Sequence, residues 1–264
     1  MTVPADALAD ALWAAQQSRV PMGPPTTLSP GFDQDAAYAV QTRNIARRLA
    51  AGESIVGRKV GLTSEAMQRQ LGVDQPDFGV ITDAMVIPAG AVFDVAELIA
   101  PRLEAEFAFR LGTALAPDAT FDQTRDAIAA VAPAIEIIDS RVADWKITLA
   151  DTVADNASSA RIVVGEWMPA TPELLDGLPG FTLDLLDGDE VVGSGPGSAV
   201  LGDPVVALQW LARTLGAYGQ GLAAGEVVLA GAVAASVPLL AGRRWSARSA
   251  ELGTVSFVTA GSAG

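Results

Sequence analysis

Hydrophobic and polar positions near the start of the chain alternate with helical spacing. Leu8 and Leu12 recur on one face of a predicted amphipathic helix at residues 5–18. A proline-rich linker at 20–30 separates this helix from a second one, which we expect to begin near Asp33. The opening lacks a positively charged start followed by an apolar run, so we expect no signal peptide.

After Gly52 the pattern changes to short runs rich in β-branched residues, which is typical of strands. We expect strands at 54–60 and 84–87, with a helical stretch near 65–71 between them. Further strands are expected at 102–111, 134–138, 160–164, 181–186, 190–193, 226–229 and 254–259. So many strands with few helices between them indicate an α+β protein rather than a doubly wound parallel sheet.

Two local signals support this organisation in the C-terminal half. The dipeptide Asp187–Gly188 is a hairpin turn signal between two predicted strands. A helix at 204–215 is expected to open behind Asp203 as its N-cap, with proline at the first helical position. We therefore predict a small N-terminal α/β region at 1–80 and a β-rich catalytic core at 81–264.

The predicted strand at 102–111 alternates between two kinds of side chain. One face carries Leu103, Ala105, Phe107, Phe109 and Leu111, and the other carries Glu104, Glu106, Ala108 and Arg110. Successive side chains of a strand point to opposite faces, so we expect this strand to be buried on its apolar face only.

Composition narrows the chemistry that the chain can perform. Of its 264 residues 17 are basic and 31 acidic, and the net charge of −14 argues against nucleic acid and membranes as partners. The chain has neither cysteine nor histidine, which excludes Ser-His-Asp and Cys-His catalysis and zinc sites built on imidazole. Carboxylates, lysine, arginine, tyrosine and hydroxyls remain for chemistry, in a protein that we expect to be cytoplasmic.

Three glutamates are candidates for a metal site. Glu104 and Glu106 leave the same face of their strand with carboxylates close enough to repel each other. A solvated strand face is one interpretation, and a hard-cation site for Mg²⁺ or Mn²⁺ is the other. Glu136 lies in the apolar segment 132–138, where an unpaired charge would be costly. A cation shared by the three glutamates would remove that cost.

Lys59 and Asp77 are candidates for proton transfer. Lys59 lies at a strand end between glycines, where it could either reach solvent or act beside a metal-bound anion. In the second case we expect Arg58 and the cation to lower the pKa of Lys59. Asp77 is by type a common turn residue, so its candidacy depends on the residues that surround it.

Several ordered segments carry a family pattern. They are GRKVGLTS at 57–64, QPDFG at 75–79, PRLEAE at 101–106, PAIEIID at 133–139, ADNASS at 154–159 and VLGDP at 200–204. Together they span nearly the whole chain and resemble the 2-hydroxypenta-2,4-dienoate (2-keto-4-pentenoate) hydratase family of the fumarylacetoacetate hydrolase superfamily. The resemblance implies an α+β fold in which a large distorted β-roll core follows a small helical and mixed region.

The resemblance also implies roles for individual residues. It makes Glu104, Glu106 and Glu136 the ligands of Mg²⁺ or Mn²⁺, Lys59 and Asp77 the acid/base residues, and Leu62 and Ser159 substrate-binding residues. It implies no organic cofactor.

The implied reaction is the addition of water to 2-hydroxypenta-2,4-dienoate or a close homologue, which gives a 4-hydroxy-2-oxo acid. Such a lyase serves the meta-cleavage catabolism of aromatic compounds or steroids. The cation would stabilise charge on the substrate's 2-oxygen, and proton transfers would complete the reaction. The implied partners are the small 2-oxo or dienol acid and further copies of the chain in a homo-oligomer. Association with a sister decarboxylase or a downstream aldolase is a further expectation.

Two alternatives stay open. The sister 4-oxalocrotonate (2-oxo-3-hexenedioate) decarboxylases resemble the hydratases in fold and metal ligands, but tend to lack the carboxylate that Asp77 supplies here. Hydration needs an extra base to position water, so Asp77 favours the hydratase. The other alternative is a non-catalytic partner subunit of such an enzyme, and the intact set of Lys59, Asp77 and three glutamates argues against it.

Overall fold

The computed structural model describes residues 3–64, 68 and 72–261. Its helices are α1 (Ala5–Ser18), α2 (Pro25–Leu28), α3 (Gln34–Ala50), α4 (Phe121–Ala127), α5 (Leu149–Ala154), α6 (Pro172–Gly177) and α7 (Pro204–Ala217). The two helices predicted near the N-terminus are confirmed as α1 and α3. The helical stretch expected near 65–71 lies almost wholly outside the described residues.

Local capping explains where two of these helices begin. Asp33 accepts a hydrogen bond from the backbone N–H of Ala36 (2.9 Å) at the start of α3. Asp203 accepts one from Val205 (2.8 Å) ahead of α7, which has proline at its start, so this predicted N-cap is confirmed. Each cap satisfies a backbone donor that the first turn of a helix leaves without a partner.

The larger sheet has eight strands and joins the N-terminal strands to the central ones. Its path runs through β2 (Asp77–Thr82), β1 (Ile55–Gly61), β10 (Val227–Ala232), β4 (Arg102–Leu111), β5 (Ile128–Ile138) and β6 (Ser159–Val164), with β11 (Val237–Pro238) beside β4 and β7 (Met168–Pro169) beside β5. Just past β2, the backbone N–H of Ile87 donates to the carbonyl of Ile162 in β6 (2.8 Å). The two ends of the path therefore meet, and the sheet curls toward a barrel.

The second sheet has five strands. Its order is β3 (Val92–Phe93), β13 (Gly253–Thr259), β12 (Arg244–Ser249), β8 (Thr182–Asp187) and β9 (Glu190–Pro196). Strands β8 and β9 form the predicted hairpin, with Gly188 in the left-handed region at a φ of 61°. Strand β12 was not predicted, because Arg244 and Arg248 leave it few apolar positions. The prediction of a strand at 84–87 is wrong, because a 3-10 turn occupies Asp83–Met85.

Strand β4 has the predicted bounds but not the predicted exposure. Its apolar face, including Phe107, belongs to the main hydrophobic core, where β4 and β5 meet strands of the second sheet. The opposite face is buried as well, because Ala108 lies in a smaller apolar cluster with Leu229 and Ile162. Of the residues in β4 only Arg110 is exposed. The expectation of one solvated face is wrong, because the curled sheet covers its own inner face.

The N-terminal strands belong to the larger sheet, since β1 pairs in parallel with β10 and antiparallel with β2. The division of the chain near residue 80 stays a prediction. None of the described helices is both long enough and apolar enough to cross a membrane.

Candidate active site

Three glutamates meet on the inner face of the larger sheet. The antiparallel register of β4 and β5 places Glu104 directly opposite Glu136. Glu106 follows two residues after Glu104 on the same face. All three side chains are buried, and one carboxylate oxygen of each lies within 4.8 Å of the others. The alternation of β4 predicts the first pair, and the register of the sheet adds the third member.

Lys59 lies in the same group. It projects from β1, and its Nζ is 3.3 Å from Oε2 of Glu136. Because the residue is only 3% exposed, the interpretation that it reaches solvent is wrong. The neighbouring Arg58 points to the opposite face of the strand, where its Nη1 lies 3.7 Å from Oε1 of Glu226.

Asp77 begins β2 directly opposite Gly61 of β1. It is a buried strand residue rather than a turn residue. A Cβ on Gly61 would lie 2.2 Å from Oδ1 of Asp77 and 3.1 Å from Nζ of Lys59, so the glycine leaves the space in which the two functional groups meet. Within the described part of the chain, Oδ1 of Asp77 has no hydrogen-bond partner. The acceptor capacity of that oxygen is therefore unused within the described residues.

A glycine of β10 orients Glu106. The backbone N–H of Gly231 donates to Oε2 of Glu106 over 2.7 Å. Gly231 has a φ of 113°, and a Cβ there would lie 2.2 Å from Oγ1 of Thr63. Only glycine fits this position, so the orientation of one glutamate depends on a residue without a side chain.

The pKa values of the carboxyl groups reflect their crowding. Burial, followed by the charge of Glu136, raises the pKa of Glu104 to about 7. Burial, with the charges of Glu136 and Glu104, raises the pKa of Glu106 well above its usual range. Burial also raises the pKa of Asp77, although the nearby Lys59 acts in the opposite direction. The group therefore carries an excess of negative charge that a cation would offset.

The pKa of Lys59 shifts in the direction opposite to the predicted one. Burial by itself would lower the pKa of Lys59, but the surrounding carboxylates, led by Glu136 and Asp77, raise it above its usual value. The expected lowering by Arg58 is wrong, because that side chain faces Glu226. In this arrangement Lys59 is an ammonium group, which can donate hydrogen bonds and a proton.

The glutamates fit a hard divalent cation. Both carboxylate oxygens of Glu136 are buried, and neither has a hydrogen-bond partner among the residues that the structure describes. A buried carboxylate without such partners is costly. Oxygens bound at ~2.1 Å around Mg²⁺ lie ~3–4 Å apart, so the three observed oxygens need only a small movement to surround an ion. Oxygen donors of this kind suit Mg²⁺ or Mn²⁺.

The group opens into a cavity of about 510 Å³, which is a suitable size for a small organic ligand. Lys59, Asp77 and Glu104 line its inner part. Leu62, predicted to contact substrate, lines it as well. This leucine has a left-handed backbone, with a φ of 57°, in the loop that follows β1.

Ser159, also predicted to contact substrate, lies elsewhere. Its hydroxyl is buried, has no hydrogen-bond partner in the described residues, and lines separate cavities beside Arg48 and Arg141. The preceding residue, Ser158, lines the active-site cavity instead. Successive side chains at the start of a strand point to opposite sides of it. The hydroxyl that faces the active-site cavity therefore belongs to Ser158, one residue before the serine that was predicted.

The turn around Ser158 is held against the site. Asn156, Ala157 and Ser158 all have left-handed backbones, with φ values of 57°, 51° and 54°. The side-chain amide of Asn156 pairs with both backbone groups of Val80 in β2, over 2.8 and 2.9 Å. These bonds compensate for the strain and attach the turn to the strand that carries Asp77.

Arg102 and Trp145 are among the cavity residues that were not assigned a role from sequence. Arg102 donates from Nε and Nη2 to the hydroxyl and the carbonyl of Ser236, over 2.7 and 2.6 Å. Its spacing of two residues from Glu104 was a usable signal, because it puts both side chains on one face. Trp145 also lines the cavity, and nothing in its local sequence indicates that the loop after β5 returns there.

Comparison with known proteins identifies close relatives of one kind. The chain is 43% identical over 236 residues to a 2-keto-4-pentenoate hydratase of Paraburkholderia xenovorans, covering 89% of this chain and 87% of that protein. It is 42% identical over 249 residues to a 2-hydroxyhexa-2,4-dienoate hydratase of Comamonas testosteroni, covering 93% of this chain and 94% of that protein. No family model matches the chain.

Solved structures share the fold. The 4-oxalocrotonate decarboxylase from Pseudomonas putida G7, complexed with magnesium and adipate, has a TM-score of 0.91 and 35% identity, with 96% of each chain covered. The fumarylpyruvate hydrolase from Pseudomonas aeruginosa shares the fold alone, with a TM-score of 0.62 and 16% identity over 77% of this chain and 88% of that one. These likenesses confirm the predicted α+β fold with a distorted β-roll core.

Proposed function

The chain belongs to the 2-keto-4-pentenoate hydratase family, and on this basis we propose that it adds water to 2-hydroxypenta-2,4-dienoate or a close homologue. The product is a 4-hydroxy-2-oxo acid, and the protein is a hydro-lyase. One observation carries the proposal beyond the names of the relatives: Asp77 and Lys59 line the same cavity as Glu104, and the other two glutamates of the buried group lie directly behind Glu104 and Lys59. The cavity thus combines a cationic group, a free carboxylate oxygen and a candidate metal site.

Glu104, Glu106 and Glu136 are the proposed ligands of Mg²⁺ or Mn²⁺. Their burial and their oxygens within 4.8 Å of one another support this assignment. The solved decarboxylase, 35% identical to this chain, is a magnesium complex, which supports the same class of ion here. When bound, such an ion supplies positive charge to the carboxylate and 2-oxygen of the substrate.

The proposed reaction needs two proton additions to carbon and one addition of oxygen. A proton added at C5, with loss of the 2-hydroxyl proton, converts the 2,4-dienol into a 2-oxo-3-enoate. The oxygen of water then adds to C4, a proton is added at C3, and the added water loses one of its two protons and keeps the other as the 4-hydroxyl. The net change is the gain of one water molecule, without oxidation or an organic cofactor.

Lys59 is the proposed partner of the substrate's 2-oxygen. Its Nζ lies 3.3 Å from Oε2 of Glu136, and the surrounding carboxylates favour its ammonium form by raising its pKa, although burial acts in the opposite direction. Such a group donates a hydrogen bond to an oxygen on which negative charge develops, and it can pass a proton to that oxygen.

Asp77 is the proposed base for water. Its Oδ1 has no hydrogen-bond partner among the described residues, and burial raises its pKa, which makes its carboxylate a stronger base than an exposed one. Leu62 is proposed to contact the carbon chain of the substrate. We assign the hydroxyl contact to Ser158 rather than Ser159, because only Ser158 lines this cavity.

A second candidate is decarboxylation of 2-oxo-3-hexenedioate. The likeness to the solved decarboxylase, with a TM-score of 0.91, favours it. The buried Asp77 favours hydration, because adding water needs a base at that position and losing CO₂ does not. A non-catalytic partner subunit would not need the complete set of glutamates, Lys59 and Asp77 around one cavity.

Turnover assays separate these functions. The purified protein is supplied with freshly generated 2-hydroxypenta-2,4-dienoate and, separately, with 2-oxo-3-hexenedioate, with Mg²⁺ and Mn²⁺ in turn. We expect the dienol to be converted into 4-hydroxy-2-oxopentanoate and the diacid to release little CO₂. Rapid release of CO₂ would favour the decarboxylase, and no turnover of either compound would favour the non-catalytic subunit.

Metal removal is the matching test of the proposed ligands. Exhaustive chelation should abolish hydration, and either Mg²⁺ or Mn²⁺ should restore it. Full activity after chelation would exclude the glutamates from a metal-dependent reaction.

The predicted homo-oligomer, the association with a sister decarboxylase or a downstream aldolase, the cytoplasmic location and the place in meta-cleavage catabolism stay predictions. Light scattering of the purified protein tests the first. Co-purification with the two enzymes tests the second.

A further inference from the structure

A second cavity lies beside the active-site cavity, on the other side of the turn that precedes β6. Its volume is about 360 Å³. Ser158 lines the active-site cavity and the adjacent Ser159 lines the second one, so the two cavities lie back to back at the start of β6. Neither Lys59 nor Asp77 lines the second cavity, and none of the three glutamates does. The proposed reaction therefore leaves this cavity without a role.

Four arginine side chains line this second cavity, and they come from four separate places in the chain. Arg19 follows α1, Arg48 lies near the end of α3, Arg141 follows β5 and Arg161 lies in β6. The chain as a whole carries a net charge of −14. Guanidinium groups collected around one cavity of an acidic protein favour a negatively charged ligand there.

Acidic side chains next to the cavity already have donors of their own. Three arginines have an ion-pair partner, and these pairs are Arg48 with Glu53, Arg141 with Asp155 and Arg161 with Glu97. Asp139 also lines the cavity, but its two carboxylate oxygens accept from the backbone N–H groups of Ile99 and Ala100 over 3.0 and 2.7 Å. The fourth arginine, Arg19, is exposed and forms no ion pair within the described part of the chain.

Several hydrogen-bond donors remain for a ligand. The hydroxyl of Ser159 is buried, and it has no hydrogen-bond partner among the described residues. Arg48 reaches Glu53 through Nη1 alone, which leaves its Nε and Nη2 without a partner in the part of the chain that the structure describes. A buried hydroxyl without a partner loses free energy that a bound acceptor would restore.

The positive charges also act on one another. Burial lowers the pKa of Arg48, its partner Glu53 raises it, and the charges of Arg141 and Arg161 lower it again. The three guanidinium groups are therefore close enough to repel one another. A bound anion would offset this repulsion, just as a cation would offset the repulsion among the three glutamates.

We propose that this second cavity binds a small oxyanion that carries more than one negative charge. Arg19, Arg48 and Arg161 supply the positive charge, and Ser159 supplies a neutral hydroxyl donor. The three arginines come from α1, α3 and β6, so an anion with several charged oxygens can bind more than one of them at once. Inorganic phosphate and short dicarboxylates share this chemistry. The inference does not depend on the proposed function, since none of the residues proposed for the reaction lines this cavity.

Calorimetric titration of the Mg²⁺-loaded protein with sodium phosphate, at constant ionic strength, tests the proposal. We expect one site with a Kd of ~1 mM or lower, although the net charge of the chain repels anions in general. Acetate should bind at least ~10-fold more weakly, because it has a single charge. Succinate that binds more tightly than phosphate would identify a dicarboxylate as the ligand, and the reverse order would identify a phosphate group. No saturable binding of phosphate or succinate, or equally tight binding of acetate, would overturn the proposal.

Two variants test where the anion binds. Arg19→Gln removes one charge and should raise the Kd of phosphate by ~10-fold, and Ser159→Ala removes one neutral donor and should raise it by ~3-fold or more. The matched control is Arg213→Gln, which changes an exposed arginine of α7 outside this cavity and should leave the Kd as in the parent. Phosphate binding that is lost in Arg102→Met but unchanged in Arg19→Gln and Ser159→Ala would locate the anion in the active-site cavity and overturn the proposal.

Discussion

Removing the charge of Glu136 tests whether the three glutamates form a buried group of repelling charges. The variant is Glu136→Gln, which keeps the shape of the side chain. In the metal-free protein we expect its stability to fall less than that of the parent as the pH rises from about 5 to about 8, although it should bind Mg²⁺ less tightly. The reason is that, after burial, Glu136 is the largest cause of the raised pKa of both Glu104 and Glu106.

The size of the effect follows from the pKa of Glu104, which rises from 4.5 to about 7 on folding. Between these values the folded protein binds a proton that the unfolded chain has lost, so stability is greatest below the lower value and falls as the pH rises toward the upper one. At ~1.4 kcal/mol per pH unit the loss in the parent is ~3 kcal/mol, and Glu136→Gln should avoid only the part caused by the charge of Glu136, because burial, the largest cause, remains. That loss lowers Tm by ~6 °C, at ~2 °C per kcal/mol for a chain of this length.

Thermal unfolding, followed by circular dichroism after exhaustive chelation, measures this loss from about pH 5 to about pH 8. The Tm of the parent should fall by a few degrees relative to that of Glu136→Gln across this range, and added Mg²⁺ should raise the Tm of the parent more than that of the variant. Glu190→Gln, an exposed glutamate at the hairpin, is the matched control and should follow the parent. Identical pH profiles for the parent and Glu136→Gln would refute the reasoning.

Four further predictions concern single residues. Lys59→Ala should depress both solvent-deuterium exchange into the substrate and hydration, since both pass through charge on the 2-oxygen. Asp77→Asn should slow hydration by ~10² or more and exchange less. NMR reports the two steps separately, and equal losses in Asp77→Asn with none in Lys59→Ala would contradict these roles. Gly61→Ala should lower kcat by ~10², because its Cβ would lie 2.2 Å from Oδ1 of Asp77, while Gly23→Ala, with nothing within 4 Å, should match the parent in the same assay. Arg141→Met should lower the free energy of unfolding, measured in urea, by ~3–5 kcal/mol, because it leaves the buried carboxylate of Asp155 without its ion-pair partner. A decrease below ~1 kcal/mol would exclude that explanation.

Local patterns in the sequence were sufficient for features that lie within one element. The alternation of β4 put Glu104 and Glu106 on one face, and the N-cap residue with its following proline located the start of α7. The Asp-Gly signal located the hairpin of β8 and β9. These predictions succeeded because side-chain direction, capping and tight turns depend on residues only a few positions apart.

Likeness to a family predicted a site but not every side chain in it. The ordered segments named the three glutamates, Lys59 and Asp77, and the structure brings these residues together around one cavity. The same likeness named Ser159, whose side chain lies in other cavities, while Ser158 lines this one. A motif specifies residue types in order, whereas the start of β6 and the left-handed turn before it decide which hydroxyl faces the site.

The sequence by itself determined the two-residue spacing of Glu104 and Glu106, the absence of histidine and cysteine, and the type of most elements. Only the tertiary structure decided that Glu136 faces Glu104, that Lys59 is held as an ammonium group among carboxylates, and that Trp145 lines the cavity. The physical reason is that these facts depend on strand register, on the curl of the sheet and on burial. Each of these is set by contacts between residues far apart in the chain, which no local periodicity records.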